Sequence, residues 1–146
     1  MTITKHLQEY FLTFPGLAGK RLDIDCLAPN DGAYSLDSIP TETIVKRYLD
    51  GSAVNRHLFV ISSRCFYSND LQQQEENLAF FESLSDWLFR EETLGHVPNL
   101  GEKRAARKIS VLSSAYPISV DDGGETARYQ IQLELIYLQE VNTNDT

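Results

Sequence analysis

The sequence predicts a single α+β domain: a mainly antiparallel sheet with two principal helices packed mainly on one face. Three observations point there. Ile3 to Phe14 and Leu78 to Leu88 repeat apolar residues at helical spacing. Other runs, above all Thr126 to Leu138, alternate apolar and polar residues with the period of a strand. The later strand-like runs come in pairs around Asp-Gly turns, which argues for hairpins rather than βαβ units. With 146 residues, of which 42% are hydrophobic, the chain can bury one sizeable core and has little room for a second. The expected domain therefore spans 1–140, and the polar end 141–146 is expected to be a flexible tail.

The elements follow in chain order. Ile3, Leu7, Tyr10, Phe11 and Phe14 lie on one face of a short helix, with Thr2 or Thr4 as its cap. Phe14-Pro15-Gly16 ends it, because a residue before proline is pushed out of the α region. In Arg21 to Leu27 the apolar Leu22, Ile24 and Cys26 alternate with Asp23 and Asp25, as in a half-buried strand. Pro29-Asn30-Asp31-Gly32 is a turn, and YSLDSI supplies a second short strand before Pro40.

Ile44 to Leu49 and Arg56 to Tyr67 are rich in β-branched and aromatic residues and flank DGSAVN, so they read as an antiparallel hairpin. Leu58 to Ile61 is apolar on both faces and suits a central strand covered on both sides. The first strand, with Lys46 and Arg47, suits a position nearer an edge. A long helix then starts at Asn69 or Asp70, with Gln72 or Gln73 at the capping-box position and Glu75 and Glu76 near its positive end. Leu78, Phe81, Leu84 and Leu88 form its apolar stripe, widened by Phe80 and Trp87, and the helix ends before Gly95.

Gly95 to Glu102 reads as a loop. The last pair of strands is Arg107 to Tyr116 and Thr126 to Leu138, joined through PISVDDGGE. In the final strand Ala127, Tyr129, Ile131, Leu133, Leu135 and Tyr137 face one way, and Arg128, Gln130, Gln132 and Glu134 the other. That polar row is flat enough to meet a partner or to remain solvated.

A formal charge of −8 argues against a protein that grips nucleic acid through its overall field. The bases bunch at Lys46, Arg47, Arg56 and Arg64 and again at Lys103, Arg104, Arg107 and Lys108. Cys26 and Cys65 have no C-x-x-C spacing and no histidine at metal-ligand distance, so they read as buried free thiols in a reducing compartment. The N-terminus lacks the layout of a secretory signal, and no apolar run reaches the ~20 residues that cross a bilayer, so the chain is expected to be soluble and cytosolic when made, with no membrane partner.

The chemistry-bearing residues do not form a recognised constellation. His6, His57 and His96 fall on a helix, a strand and a loop without paired spacing. No G-x-S-x-G elbow, G-x-G-x-x-G or phosphate-cradling G-x-x-x-x-G-K occurs. Asp31, Asp50 and Asp122 each precede a glycine where a turn is wanted. The carboxylates Glu75, Glu76, Glu82 and Asp86 suit a solvated helix face and its dipole. No enzyme activity, cofactor or metal is expected.

Several stretches together, YSLDSIP, IVKRYLDGS, RHLFVISSRCFYSND, LAFFESLSDWLF and ETARYQIQLELIYLQE, resemble the phage minor capsid or tail-terminator-like proteins of tailed phages and prophages of Gram-positive bacteria. The resemblance covers nearly the whole chain from the first helix to Glu140. It implies a non-enzymatic α+β subunit that forms a homo-oligomeric ring, usually a hexamer, at the head-proximal end of a tail tube. The implied partners are the tube and the head connector, with at most transient passage of DNA through the lumen. The implied location is the virion tail or neck, and the bacterial cytoplasm during assembly. Proteins of this kind sometimes carry a chloramphenicol-resistance label, but acetyl transfer to that drug is built around an H-x-x-x-D-G motif, and no histidine here stands in one.

Two functional classes follow. In the first, the chain is a structural ring protein whose partner surfaces are the hairpin and the polar face of the last strand, with Lys46, Arg47, Asp50, Arg56, Arg128, Gln130, Gln132 and Glu134 as interface residues. Reversing the charge of Arg47 or Arg128 is then expected to weaken assembly and leave the fold intact. In the second, it is a small enzyme or ligand-binding domain whose site gathers distant residues such as Tyr67, His96 and Arg128.

Overall fold

The computed structural model describes residues 2–27, 32–66, 71–120 and 126–141. Helix α1 (Ile3–Phe11) leads through a 3-10 turn (Pro15–Leu17) to strands β1 (Leu22–Ile24), β2 (Ala33–Ile39), β3 (Ile44–Arg47) and β4 (Ala53–Phe66). Helix α2 (Leu71–Thr93) follows, then β5 (Arg104–Val111), β6 (Tyr116–Val120) and β7 (Thr126–Gln139). The chain is an α+β domain, and the seven strands of the described residues form one sheet.

The sheet is built on two long strands. β4 and β7 pair antiparallel from Ala53↔Gln139 to Phe66↔Thr126 without a slip. Each is flanked along its other edge by two shorter strands: β2 and β3 lie along β4, and β5 and β6 along β7. β1 adds beyond β2, so the order is β1-β2-β4-β7-β5. Strands of period two present Phe59, Ile61, Ile131, Leu133 and Leu135 to one face, and all five are buried.

Both helices pack on that face. Thr2 caps α1 by accepting the Lys5 N–H at 3.1 Å, and Leu7 and Phe11 point into the core. On α2 the buried stripe is Phe81, Leu84, Trp87 and Leu88. An aromatic cluster joins the layers: Phe11 meets Phe59 at 5.8 Å between ring centroids, Phe14 meets Trp87 at 5.3 Å, and Tyr34 meets Phe80 at 4.7 Å. α2 ends as its sequence requires. Gly95, with φ of 75°, turns the chain while its N–H and that of His96 bond back to the carbonyls of Glu92 and Glu91.

Several expectations are corrected. β1 and β2 are parallel. β4 and β5 are also parallel to each other, separated by β7, so α2 is the crossover of a split βαβ unit and hairpins are not the sole connection. Local periodicity reports a strand's facing and says nothing of its direction. The strand expected over Arg107 to Tyr116 is two strands, broken at Leu112–Ala115, and part of the presumed connecting loop is β6. Leu78 is 38% exposed and does not belong to the core stripe. Cys26 is exposed, because Asp25 adopts φ of 53° and ends β1 before the alternation reaches it. The helix cap at Asn69 or Asp70, the capping-box side chains of Gln72 and Gln73, the turns at 29–31 and 122–124, Tyr67, the Cys65 side chain and the tail from 142 onward lie outside the described residues.

Candidate functional site

The eight residues expected at an interface divide between two surfaces. Arg56, Arg128, Gln130, Gln132 and Glu134 share the sheet face that neither α1 nor α2 covers. There they bond to their own chain. Arg128 Nη2 donates to Asp37 Oδ2 at 2.9 Å and to Ser62 Oγ at 3.2 Å. Ser35 Oγ donates to the same Asp37 oxygen at 3.2 Å. Gln130 and Gln132 both donate to the Tyr116 hydroxyl, at 3.0 and 3.1 Å. Arg56 lies 3.9 Å from Glu134.

This lattice buries Val60, Ser35 and Ser62 on a face with no second layer, which is why Leu58 to Ile61 is apolar on both sides. Asp37 Oδ1, Arg56 Nε and Arg128 Nε are the buried atoms of this face without a hydrogen bond among the described residues. The expected use of Arg128 as a clean probe of assembly is therefore corrected. Reversing its charge would set two carboxyl groups against each other at a half-buried position and strike the fold as well as any interface.

Lys46, Arg47 and Asp50 belong to the second surface, the β3–β4 hairpin. Every residue of β3 is exposed. The turn is held from within: Asp50 Oδ1 accepts the Ser52 N–H at 2.9 Å and the Ser52 hydroxyl at 2.6 Å. These bonds hold the Asp50 carboxyl below its usual range, so it serves the turn as an anion. Gly51 has φ of 92°, a conformation that favours glycine, and a Cβ there would displace the exposed Val141 side chain, whose Cγ2 it would meet at 2.6 Å.

Around this rigid turn the hairpin presents Ile44, Val45, Tyr48 and Leu49, all exposed, with Leu49 standing fully clear of the chain. Lys46 Nζ lies 5.1 Å from the centre of the Tyr48 ring. Apolar side chains on an open edge strand are what a solitary domain ordinarily avoids.

Sequence reasoning missed a third surface. Along α2, Glu75, Leu78, Glu82, Ser85, Phe89 and Glu92 recur at three- and four-residue spacing, forming a stripe beside the buried one. Two adjoining open depressions lie along it, meeting at Ser85: one over Phe81, between Glu75, Leu78 and Glu82 and the β5–β6 link at Ser114 and Ala115, and one over Leu88 and Ile109, between Phe89 and Glu92 and Val111 of β5. Phe89 is 71% exposed at the rim of the second, opposite Val111 on β5. The signal was present in the sequence as apolar residues offset from the core stripe by a fraction of a turn. Assigning Leu78 to the core hid it.

Of the alternative constellation, Tyr67 lies outside the described residues, and His96 and Arg128 do not meet. His96 sits beyond α2, paired with Glu91 at 3.1 Å, and its carbonyl accepts the Tyr10 hydroxyl. Burial and the Glu91 charge push that phenol up to about 12. Arg128 is on the opposite face of the sheet. A pair not foreseen lies elsewhere: His57 Nε2 is 3.1 Å from Ser38 Oγ, which is 3.1 Å from Thr4 Oγ1. Asp25, the nearest carboxylate, uses Oδ1 to accept the Ser38 backbone N–H, so its bond fixes the loop after β1.

Among the described residues no group of three or more His, Cys, Asp or Glu side chains could hold a metal ion, and no helix is long and apolar enough to cross a membrane. No protein-family model matches the chain, and no curated protein sequence matches it.

Proposed function

We propose that the chain is a structural subunit of the tail-terminator kind, which joins copies of itself into a ring at the head-proximal end of a phage tail tube and offers that ring to the head connector. The phage setting rests on the resemblance of YSLDSIP, IVKRYLDGS, RHLFVISSRCFYSND, LAFFESLSDWLF and ETARYQIQLELIYLQE to that family. The observation that carries association with protein is the hairpin. Four large apolar side chains and two bases without an ion pair among the described residues stand on an edge strand and the turn after it, which is held by Asp50 and Gly51. In this reading the chain performs no catalytic step and needs no cofactor. A charge of −8 per subunit suits a lumen through which DNA passes without sticking.

The test is electron microscopy with light scattering on the purified protein, alone and mixed with tail tubes of the same phage. Rings, or caps at one end of each tube, are expected. Protein that leaves tube ends bare and tube length unchanged would refute the terminator role.

A further inference from the structure

The hairpin and the α2–β5 groove are complementary in both shape class and charge. The hairpin is a protrusion carrying Val45, Tyr48 and Leu49 with Lys46 and Arg47. The groove is two adjoining depressions along α2, one lined by Leu78 and Phe81 with Glu75, Glu82 and Asp86 and closed by Ser114 and Ala115, the other lined by Leu88 and Phe89 with Glu92 and closed by β5. None of those four carboxylates is in an ion pair among the described residues. Arg107 and Lys108 line a neighbouring depression towards His96, which shares Leu88, Glu92 and Ile109 with the one closed by β5. An apolar tip with a basic flank therefore faces an apolar slot with an acidic wall.

The two surfaces cannot meet within one chain. β3 lies on the β4 side of the central strand pair, and β5 lies on the β7 side, so they stand at opposite edges of the sheet. We infer that the hairpin of one copy docks in the α2–β5 groove of the next, with Leu49 and Val45 against Phe89 and Leu78 and with Lys46 and Arg47 against Glu82 and Asp86. A contact between two different patches is heterologous: it leaves a free hairpin at one end and a free groove at the other, and it propagates until it closes. This inference rests on the reading of the chain as a self-associating subunit and names the surfaces that join.

The test uses two full-length variants, Val45→Asp/Leu49→Asp in the hairpin and Phe89→Asp in the groove. All three positions are exposed, so both variants should keep the near-UV signal of the buried Trp87. Wild-type protein is expected to form higher oligomers with rising concentration by light scattering and analytical ultracentrifugation. Each variant alone should associate at least about tenfold more weakly, since apolar anchors at the centre of a contact carry most of its energy.

The mixture decides. The intact hairpin of the groove variant and the intact groove of the hairpin variant should join in a one-to-one complex that grows no further. A mixture that stays monomeric overturns the inference, as does a groove variant that still pairs while the hairpin variant does not, which would mean hairpins meeting each other. A wild-type chain that stays monomeric at every concentration, with and without tubes, overturns it too. Rings that neither variant disturbs would remove this interface and leave the ring reading standing. Variants that mix as expected from a chain that never caps a tube would remove the terminator reading and leave the interface.

Discussion

At the scale of single residues, the polar groups of the bare sheet face and of the β3–β4 turn are held by their own chain, while the hairpin leaves Ile44, Val45, Tyr48 and Leu49 exposed. Arg128 is held by Asp37 and Ser62, and Asp50 by its own turn. His57 is the residue whose titration follows from its place. Its ring lies half-buried on the core face of β4, bonded to Ser38, and burial lowers its affinity for a proton, opposed in part by the charge of Asp25. The folded chain therefore releases this proton more readily than the unfolded chain, whose histidine titrates near 6.5. Stability from His57 is complete above that value and declines as pH falls through it towards the lower folded value. Urea denaturation followed by Trp87 fluorescence, from about pH 8 down to about pH 5, should show this loss in the wild type and a flatter profile in His57→Gln. Equal slopes in the two proteins would mean that His57 does not titrate in the folded state as its burial requires.

At the scale of elements, α2 does two jobs with adjacent stripes, and substitution separates them. Leu84 is wholly buried, so Leu84→Ala should cost about 2–5 kcal/mol from lost transfer energy and the cavity left behind. Phe89 lies outside the core, and Phe89→Asp should change monomer stability by no more than about 0.5 kcal/mol. Urea midpoints of the two variants check this, and a large loss in Phe89→Asp would place that ring in the core. Element type was legible wherever a period was long and clean: the facing of β7, the end of α2 before Gly95 and the hairpin around Asp50-Gly51 all follow from local chemistry, while the cap of α1 was narrowed to Thr2 or Thr4 and is Thr2. Pairing was not. Nothing local in Leu22–Ile24 says that β1 runs parallel to β2, and nothing in Arg104–Val111 says that β7 will lie between it and β4. The site was legible in the same way. Lys46, Arg47 and Asp50 could be placed on a hairpin from sequence, but the ion pair joining Arg128 to Asp37 spans 91 positions and required the β2–β4–β7 register.

At the scale of the whole molecule, the sheet is graded in stability from its centre to its edges, and the proposed contact uses the edges. Backbone groups of β4 pair on one side with β7 along all fourteen positions and on the other with β2 and then β3. β7 is enclosed in the same way by β4 and by β5 and β6. To exchange the amides around Phe59 and Leu133, both helices and both flanks must come away, which amounts to unfolding the domain. β3 has a partner only on one side, all its side chains are exposed, and its register to β4 slips between Ile44 and Lys46. Hydrogen exchange on dilute protein should therefore give the slowest amides at the centre of β4 and β7, with a free energy of opening equal to that of global unfolding. Amides of β3 should exchange by local opening. Raising the concentration until oligomers form should slow exchange at β3 and along the outer edge of β5 while leaving the centre of β4 and β7 unchanged, because only the edges gain cover. Protection that rises instead at Gln130 and Gln132 would shift the contact to the bare sheet face, where the Tyr116 and Arg128 bonds would then have to open to receive a neighbour.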